Sequence, residues 1–181
     1  IGGALGFLLL FLRVGVLESG MFKTIEHANV SKGNFFMLFS NGKRFKKYLL
    51  AILVGLPNWY VIGILITFSK EFGAKMNVQG EIDPGASIMY AYAAISIGDI
   101  LIGFVSQWLK SRKKALYIFY VLTAIGIVWF FNLHNAPVSQ LYLACALLGF
   151  GTGMWAIFVT MAAEQFGTNI RATVATTVPN M

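Results

Sequence analysis

Charged residues are scarce in this sequence. Asp, Glu, Lys and Arg together make up 12% of the 181 residues, whereas a soluble domain carries about 25%. Hydrophobic residues make up 57%, and the mean hydropathy is +0.72. A soluble protein of this length could not bury so much apolar surface. The low charge therefore excludes a soluble domain and predicts a protein embedded in membrane lipid.

Cysteine and histidine are also nearly absent. The single cysteine, Cys145, lies within an apolar run and can form no disulfide within the chain. The two histidines, His27 and His134, fall in predicted loops on opposite sides of the membrane, and the acidic residues are scattered. These residues form no metal-binding or nucleophilic cluster in the sequence. We therefore expect no cofactor and no metal, and an enzyme is disfavoured.

Basic residues outnumber acidic ones, 14 against 7, for a net charge of +7. They occur in short clusters between apolar runs and not in a long basic stripe, and no platform of interleaved aromatic residues accompanies them. Nucleic-acid-binding proteins typically show such a concentrated basic footprint. The excess of positive charge therefore predicts no nucleic-acid partner. It indicates instead how the protein is oriented in the membrane.

Long apolar runs dominate the sequence. A run of about 20 apolar residues is typical of a transmembrane helix, whereas membrane barrels use alternating strands of about ten residues. We predict an all-α, polytopic transmembrane helical bundle. Its helices are expected at residues 1–17, 48–69, 87–109, 115–133 and 139–163, with the start of another at 171–181, and the connecting segments at 18–47, 70–86, 110–114, 134–138 and 164–170.

The two ends of the chain indicate a fragment. The sequence opens on Ile1, without an initiator methionine, and it stops at Met181 within the last predicted helix. A secretory signal peptide would need a basic leader ahead of its apolar core, and the first apolar run has none. We therefore expect the chain to be part of a larger membrane protein.

The distribution of lysine and arginine predicts the orientation of the bundle. Eleven of them fall in segment 18–47, in segment 110–114 or at Arg171, all on one side of the predicted membrane. The opposite side has only Lys70 and Lys75. Cytoplasmic loops carry an excess of basic residues. The basic loops are therefore predicted to be cytoplasmic, in a plasma or inner membrane.

One of these cytoplasmic segments also contains the apolar stretch at residues 35–39, which lies directly before a basic cluster. Apolar residues beside basic ones favour a short interfacial helix on the inner leaflet. A linker whose basic side chains reach the headgroups is the equally favoured alternative.

Three short motifs occur in a consistent order along the chain. They are the stretch LRVGVLESGMFK at 12–23, Gly103 followed by the basic turn at 111–114, and the stretch EQFGTNIRAT at 164–173. Together they resemble motifs of the major facilitator superfamily of transporters. The first resembles the end of the sixth helix in the sugar-porter and metabolite:proton symporter branches, and the third is similar to the link between helices ten and eleven. The second is similar to the loop motif between helices eight and nine, although Gln107 stands where the motif has an acid and Ser111 stands where it has glycine.

The resemblance covers nearly the whole chain and implies a partial major-facilitator fold, from helix six to the start of helix eleven. Proteins of this family have two six-helix halves that rock about a central site, and such sites lie near the bilayer midplane, lined by interrupted helices. The resemblance therefore implies that the N-terminal half of the same protein is missing from this chain, and that it supplies the rest of the site.

Asp99 is an acid inside a predicted transmembrane helix. A charge at the centre of such a helix costs about 2.5–3.5 kcal/mol on insertion scales, so buried acids usually face a cavity or a partner. Asp99 lies eight residues before Gln107, about 12 Å deeper in the membrane. We predict that Asp99 carries a proton or contacts substrate. A gating contact and a packing role, with a neighbouring helix or with Arg13 or Arg171, remain the alternatives.

Other polar and charged residues are candidates for a cytoplasmic gate. Glu164 and Arg171 are seven residues apart, and with Arg112 they could form a charge cluster that closes the inner side in one state only. The alternative is that these charges face water or headgroups, where exposed pairs contribute little stability. Gly103 and Gln107 of the loop motif are assigned to the same gate.

Pro57 marks a predicted kink in the helix at 48–69, because proline removes a backbone hydrogen bond. In a membrane such a break is tolerated where the freed carbonyl faces protein or a water-filled cavity. Asn58, Trp59 and Tyr60 follow it and are predicted substrate contacts. The alternative is a structural kink with aromatic residues packed against a neighbouring helix.

Glycines at four-residue spacing predict close helix packing. Gly149 and Gly153 have this spacing in the helix at 139–163, and Gly2 and Gly6 have it in the helix at 1–17. The stretch GFGTGMW superficially resembles a phosphate-binding loop, but the strand and helix that such a loop requires are missing. Trp155, just after it, is predicted to line the cavity, with lipid-facing or packing roles as alternatives.

The sequence as a whole thus predicts a secondary active transporter for a small polar metabolite, of the sugar or organic acid class. Its expected partners are that substrate and a coupling ion, H⁺, carried by symport with alternating access. A drug:proton antiporter is the first alternative and would have a largely aromatic cavity. A transport-inactive membrane sensor or scaffold on the same fold is the second.

Overall fold

The computed structural model describes residues 33–181. The predicted helix at 1–17, with Gly2, Gly6 and Arg13, therefore lies outside the described residues. The motif at 12–23 and His27 lie outside them too. Within residues 33–181 the chain is helical throughout and forms no β-strand, with only an isolated bridge between Gln79 and Pro137.

Seven α-helices make up the described part of the chain. They are α1 (Gly42–Tyr60), α2 (Ser69–Lys75), α3 (Pro84–Trp108), α4 (Arg112–Phe131), α5 (Val138–Thr152), α6 (Trp155–Glu164) and α7 (Thr168–Thr177). A π-helical segment, Val61–Ile66, continues α1 without interruption. Short 3₁₀ turns at Phe35–Leu38 and Val178–Asn180 precede α1 and follow α7.

Four helical segments in residues 33–181 are long and apolar enough to cross a membrane: Gly42–Ile66, Pro84–Trp108, Arg112–Phe131 and Val138–Glu164. Large apolar side chains remain exposed on them, among them Trp108 at 84% and Phe104 at 64%. Such side chains are costly in water and favourable against lipid tails. The described part of the chain is therefore all-helical, and the protein is a membrane-embedded, multi-pass protein.

The helices begin earlier than the hydropathy pattern predicts because polar residues cap them. Asp83 accepts hydrogen bonds from the N–H groups of Gly85 and Ala86, at 2.9 and 3.2 Å, so α3 begins at Pro84 and not at residue 87. Ser111 caps α4 in the same way, and α4 begins at Arg112 and not at residue 115. Proline is favoured at a first helical position, and Ser and Asp are favoured caps.

The segment ahead of α1 differs from the expected interfacial helix. Residues 35–38 form only one 3₁₀ turn, with Leu38 buried in the protein and Phe36 79% exposed. Asn41 then caps α1, whose first turns include the basic residues predicted for a loop. The helix therefore begins six residues before the expected position 48, because the side chain of Asn41 accepts the hydrogen bond of the Lys43 N–H group.

The apolar run predicted as one helix at 139–163 is two helices, α5 and α6, which meet at Gly153 and Met154. One further helix, the short α2, lies almost entirely in the segment 70–86, which was expected to be a loop. The helix expected to start at 171 is α7, which begins three residues earlier, at Thr168. The break between α5 and α6 is the difference that matters for the site.

Helix α5 packs most extensively against α3 and α4. Glycines make this contact close: a Cβ on Gly149 would lie 2.8 Å from the Ala91 Cα, and a Cβ on Gly153 would lie 2.7 Å from the Gly98 Cα. These distances are shorter than a carbon–carbon contact allows. Gly149 and Gly153 thus lie where the backbones of α5 and α3 touch, and this contact holds the broken helix next to Asp99.

Candidate functional site

The candidate site is centred on the break between α5 and α6. The N–H of Gly153 bonds back to the carbonyls of Gly149 and Phe150, both at 3.1 Å, and the N–H of Met154 bonds to the Thr152 carbonyl at 2.8 Å. The regular helical ladder therefore stops, and α6 starts afresh at Trp155. Backbone polar groups freed inside a membrane span need partners, and side chains from two other helices supply them.

Asn58 of α1 forms a hydrogen bond with the C-terminal end of α5. Its Nδ2 donates to the carbonyl oxygen of Thr152 at 3.2 Å, across 94 residues of sequence. The side chain is almost fully buried, at 2% exposure. Its Oδ1 atom is also buried and has no hydrogen-bond partner among the described residues. Asn58 thus uses its donor on the broken helix and leaves a buried acceptor unpaired.

Asp99 of α3 forms a hydrogen bond with the N-terminal end of α6. Its Oδ1 accepts a hydrogen bond from the N–H of Ala156, the second residue of α6, at 3.3 Å. A carboxylate is stabilised at a helix N-terminus because the free N–H groups carry partial positive charge there. This is the contact with a neighbouring helix that the packing alternative for Asp99 described. It leaves the second carboxylate oxygen available to other groups.

Both residues face one cavity of about 360 Å³. Its wall is formed by Asn58, Trp59, Ile62, Tyr92, Ile95, Asp99, Thr152, Trp155, Pro179 and Asn180. The structure therefore brings four of the predicted site residues together: Asn58, Trp59, Asp99 and Trp155. Tyr60 does not line this cavity, since it lies one position further round α1 and is 38% exposed.

Tyr92 and Thr152 also line the cavity, and sequence reasoning missed them. A signal for Tyr92 exists: it lies seven residues before Asp99 in α3, two turns away, so the two side chains share a helix face. Ile95, four residues before Asp99, follows the same spacing. Thr152 has no comparable signal, because its position depends on the break in the helix.

Two tryptophans form the aromatic wall of the cavity. The rings of Trp59 and Trp155 meet edge to face, with centroids 5.9 Å apart and an interplanar angle of 88°. The Nε1 of Trp59 donates to the Pro179 carbonyl oxygen at 3.2 Å. This hydrogen bond fixes the orientation of the indole ring, so the wall is ordered although Trp59 is half exposed.

Pro57 lies within α1, directly before Asn58, and the π-helical segment begins four residues later. The wider turn is visible in the bond from the Thr67 N–H to the Ile62 carbonyl, five residues back. π-Helical turns are rare and often occur at functional sites. In this chain the π-helical segment carries Ile62 of the cavity wall, and Asn58 and Trp59 lie in the last turn of α1 directly before it.

The proposed gate residues are only partly brought together. Arg112 Nη1 and Glu164 Oε2 form an ion pair of 2.5 Å, with side chains 49% and 52% exposed. This pair joins the start of α4 to the end of α6. Arg171 forms no ion pair within residues 33–181, and its Nε is buried without a hydrogen-bond partner there. Gly103 has open space beside its helix where a Cβ would lie, and Gln107 is exposed.

Comparison of the chain with protein-family models, with curated proteins and with solved structures found no match. Within the residues that the structure describes, no group of three His, Cys, Asp or Glu side chains could hold a metal ion. The features available for a functional proposal are therefore geometric: a broken membrane helix, the two side chains bonded to its ends, and the cavity that they face.

Proposed function

We propose that this protein is a secondary active membrane transporter for a small polar metabolite, driven by proton symport with alternating access. The observation that carries the proposal is the broken helix α5–α6, whose two ends bond to Asn58 and Asp99 at the wall of a cavity. Transporters build substrate and coupling-ion sites at such discontinuous helices, near the bilayer midplane.

Asp99 is the residue proposed to carry the proton. As a carboxylate it accepts a hydrogen bond from the first turn of α6. Protonation removes its negative charge and weakens its attraction for the helix N-terminus. The position of α6 would then depend on whether the proton is bound. A ligand or proton shifts a conformational equilibrium only through such a difference in affinity between two states.

The Arg112–Glu164 pair is the proposed gate contact. It lies at the other end of the same helix, since Asp99 bonds to the start of α6 and Glu164 ends it. Helix α6 therefore connects the proposed proton site with the proposed gate. Exposed ion pairs contribute little stability, so this pair suits a contact that must break and reform in each transport cycle.

The proposed architecture is the C-terminal half of a major-facilitator transporter, from helix six to the start of helix eleven, completed by an N-terminal half. It places the Arg112–Glu164 pair on the cytoplasmic side of a plasma or inner membrane, together with the basic loops. Support comes from the three motifs, from the excess of basic residues on that side, and from the four membrane-spanning segments among the described residues.

A drug:proton antiporter is the second candidate, and the aromatic wall favours it. Trp59, Trp155 and Tyr92 together line much of the cavity. Flat apolar faces accept many ligands with little discrimination, as a drug transporter requires. The direction of proton movement separates the two candidates.

The test uses the full-length protein in sealed vesicles, with external pH recorded while sugars, carboxylates, amino acids and organic cations are added. Symport predicts external alkalinisation upon substrate addition, and antiport predicts acidification. Asp99→Asn should abolish either signal. Asp83→Asn is the matched control, since Asp83 caps α3 outside the cavity and asparagine caps equally well.

Two results would contradict the proposal. Proton movement of equal size in Asp99→Asn would assign Asp99 a purely structural role. If the wild-type protein takes up no compound of the panel, with or without a proton gradient, the protein is not a transporter of these classes.

A further inference from the structure

The cavity has an uneven balance of charge and of hydrogen-bonding groups. Among the lining residues that belong to the described part of the chain, Asp99 is the only charged one, and it is negative. The partial positive charge of the α6 N-terminus amounts to about half an elementary charge, so it offsets the carboxylate only in part. The part of the wall that residues 33–181 form contains no lysine, arginine or histidine. An anionic ligand would therefore meet net repulsion from this part of the wall.

Three hydrogen-bond donors of the wall are already committed, whereas the Tyr92 hydroxyl and the Trp155 Nε1 form no hydrogen bond with the described residues. Trp59 Nε1 donates to the Pro179 carbonyl, the Thr152 hydroxyl donates to the Gly149 carbonyl at 2.8 Å, and Asn180 Nδ2 donates to the Thr176 carbonyl at 2.6 Å. Acceptors remain. The second oxygen of Asp99 forms no hydrogen bond with the described residues, and the buried Oδ1 of Asn58 has no partner there.

The unpaired Asn58 Oδ1 is the sharpest of these observations. A buried polar atom without a partner is costly, and native structures contain few of them. The atom belongs to a side chain that is 2% exposed and lies in the cavity wall. The atom itself has no contact with solvent, so a ligand reaches it only after a small shift of the Asn58 side chain or of its neighbours, and a donated N–H bond would then satisfy the acceptor. A ligand with only acceptors, such as a carboxylate, would leave it unpaired.

Aromatic faces complete the pattern. Trp59, Trp155 and Tyr92 surround the acceptors, and the Trp59 ring is held by its bond to Pro179. A cation over an indole or phenol ring is attracted by the negative face of the ring. A carboxylate, an amide acceptor and ordered aromatic rings together are the elements of a site for ammonium groups.

We infer that this cavity binds an organic ammonium ion, with the ammonium group between Asp99 and Asn58 and the remainder of the molecule against Trp59 and Trp155. The cavity, at about 360 Å³, is at the small end of ligand pockets, which suits a small amine. The inference rests on the proposed function only in that the bound amine would be the transported substrate. Because the amine and the proton would compete for the Asp99 carboxylate, it agrees with the antiport candidate and not with symport through Asp99. It replaces the expected sugar or organic acid with a cation.

The test compares three ligands of nearly equal size and shape: phenethylamine, 2-phenylethanol and phenylacetate. Binding of radiolabelled phenethylamine to the full-length protein in lipid nanodiscs is measured by equilibrium dialysis, with empty nanodiscs correcting for partition into lipid. The other two compounds compete against it. We expect the amine to bind at least about tenfold more tightly than the alcohol, and the acid to compete most weakly.

Variants then assign the preference to the site. Asp99→Asn keeps an oxygen that can accept from the Ala156 N–H, so α6 stays capped while the charge is lost. It should reduce amine affinity by about tenfold or more and leave the alcohol unchanged. Trp59→Leu, at a half-exposed position, should weaken the amine more than the alcohol. Asp83→Asn, outside the cavity, should change neither.

The outcomes separate this inference from the proposed function. Selective, Asp99-dependent amine binding without uptake into vesicles would support the ammonium site and contradict transport. Uptake of neutral or acidic compounds without a preference for the amine would support transport and overturn the ammonium site. Equal binding of the three wild-type ligands, or no saturable amine binding, would also overturn it, and neither result depends on how any variant folds.

Discussion

Replacing Gly149 with alanine should force α3 and α5 apart. The added Cβ would lie 2.8 Å from the Ala91 Cα, whereas carbon atoms in contact prefer about 3.5–4.0 Å. The obstacle is backbone, so no side-chain rotation can relieve it. The two helices would therefore have to separate by about 0.7–1.2 Å.

The size of the effect follows from two opposing contributions. Overpacking of a well-packed contact costs about 1–3 kcal/mol, and a clash between backbones lies at the upper end of that range. The gain from replacing a helical glycine is about 0.5–1 kcal/mol. We therefore expect Gly149→Ala to lower the free energy of unfolding by about 2 kcal/mol.

The matched control for this experiment is Gly103→Ala. Gly103 lies in α3, but apart from its chain neighbours and the backbone of its own helix no atom of the described residues lies within 4 Å of the position its Cβ would take. Its substitution should leave stability unchanged or raise it by up to about 1 kcal/mol. Both variants of the full-length protein are unfolded with SDS in mixed micelles and followed by circular dichroism. Stabilities of the two variants within about 0.5 kcal/mol of each other would refute the close contact between α3 and α5.

Three further predictions concern the site and the helix ends. Asn58→Leu removes the hydrogen bond to the Thr152 carbonyl, which destabilises, and also removes the unpaired Oδ1, which stabilises. The free energy of unfolding, measured by thermal unfolding, should therefore change by no more than about 1 kcal/mol. Amine binding should fall at least about tenfold. A larger loss of stability than of binding would contradict the assignment of Asn58 to a ligand site. A double-mutant cycle with Arg112→Gln and Glu164→Gln should give a coupling of at most about 1 kcal/mol in stability, because both side chains are half exposed. Each variant should nevertheless alter the rate of transport in vesicles. Unchanged rates in both variants would exclude the pair from the gate. Asp83→Ala should lower the free energy of unfolding by about 1 kcal/mol, because the two cap hydrogen bonds are lost, and Asp83→Asn should retain most of that stability. Both are measured by SDS unfolding. Equal losses in the two variants would show that Asp83 does not contribute through capping.

Hydropathy predicts which segments of the described chain are membrane helices, because a segment that crosses lipid must be about 20 residues long and predominantly apolar. It does not predict where they begin. Pro84 and Gly85 look like loop residues, yet Asp83 followed by proline is a helix start when the aspartate side chain caps the first N–H groups. The same applies to Ser111 and α4.

The break between α5 and α6 could not be predicted from the sequence. Residues 139–163 are continuously apolar, and their glycines fit helix packing as well as a break. What decides the outcome is contact with other helices: Asn58 and Asp99 bond to the two freed ends, and Gly98 leaves room for Gly153. These partners lie more than 50 residues away in the chain, beyond the reach of any local pattern.

The candidate site was likewise predictable from the sequence only in part. Asn58, Trp59, Asp99 and Trp155 could be proposed because polar and aromatic residues within membrane spans stand out against an apolar background. Whether they face each other depends on helix rotation, which composition does not specify. Tyr60 shows the limit, since one step of about 100° around α1 separates it from Trp59 and from the cavity.

The length of α6 has a mechanical consequence. Ten residues make a rod of about 15 Å, anchored at one end by the joint at Gly153 and Met154. A pivot of about 10° at this joint would move Ala156, near the fulcrum, by about 0.5 Å and the far end at Glu164 by about 2.6 Å. The first displacement would lengthen the 3.3 Å hydrogen bond from Ala156 to Asp99 by at most about 0.5 Å and weaken it. The second would take the 2.5 Å contact between Glu164 and Arg112 beyond hydrogen-bonding range. Under the proposed gating role, the half-helix would act as a lever with roughly fivefold gain, so that a small change beside Asp99 would open the Arg112–Glu164 contact.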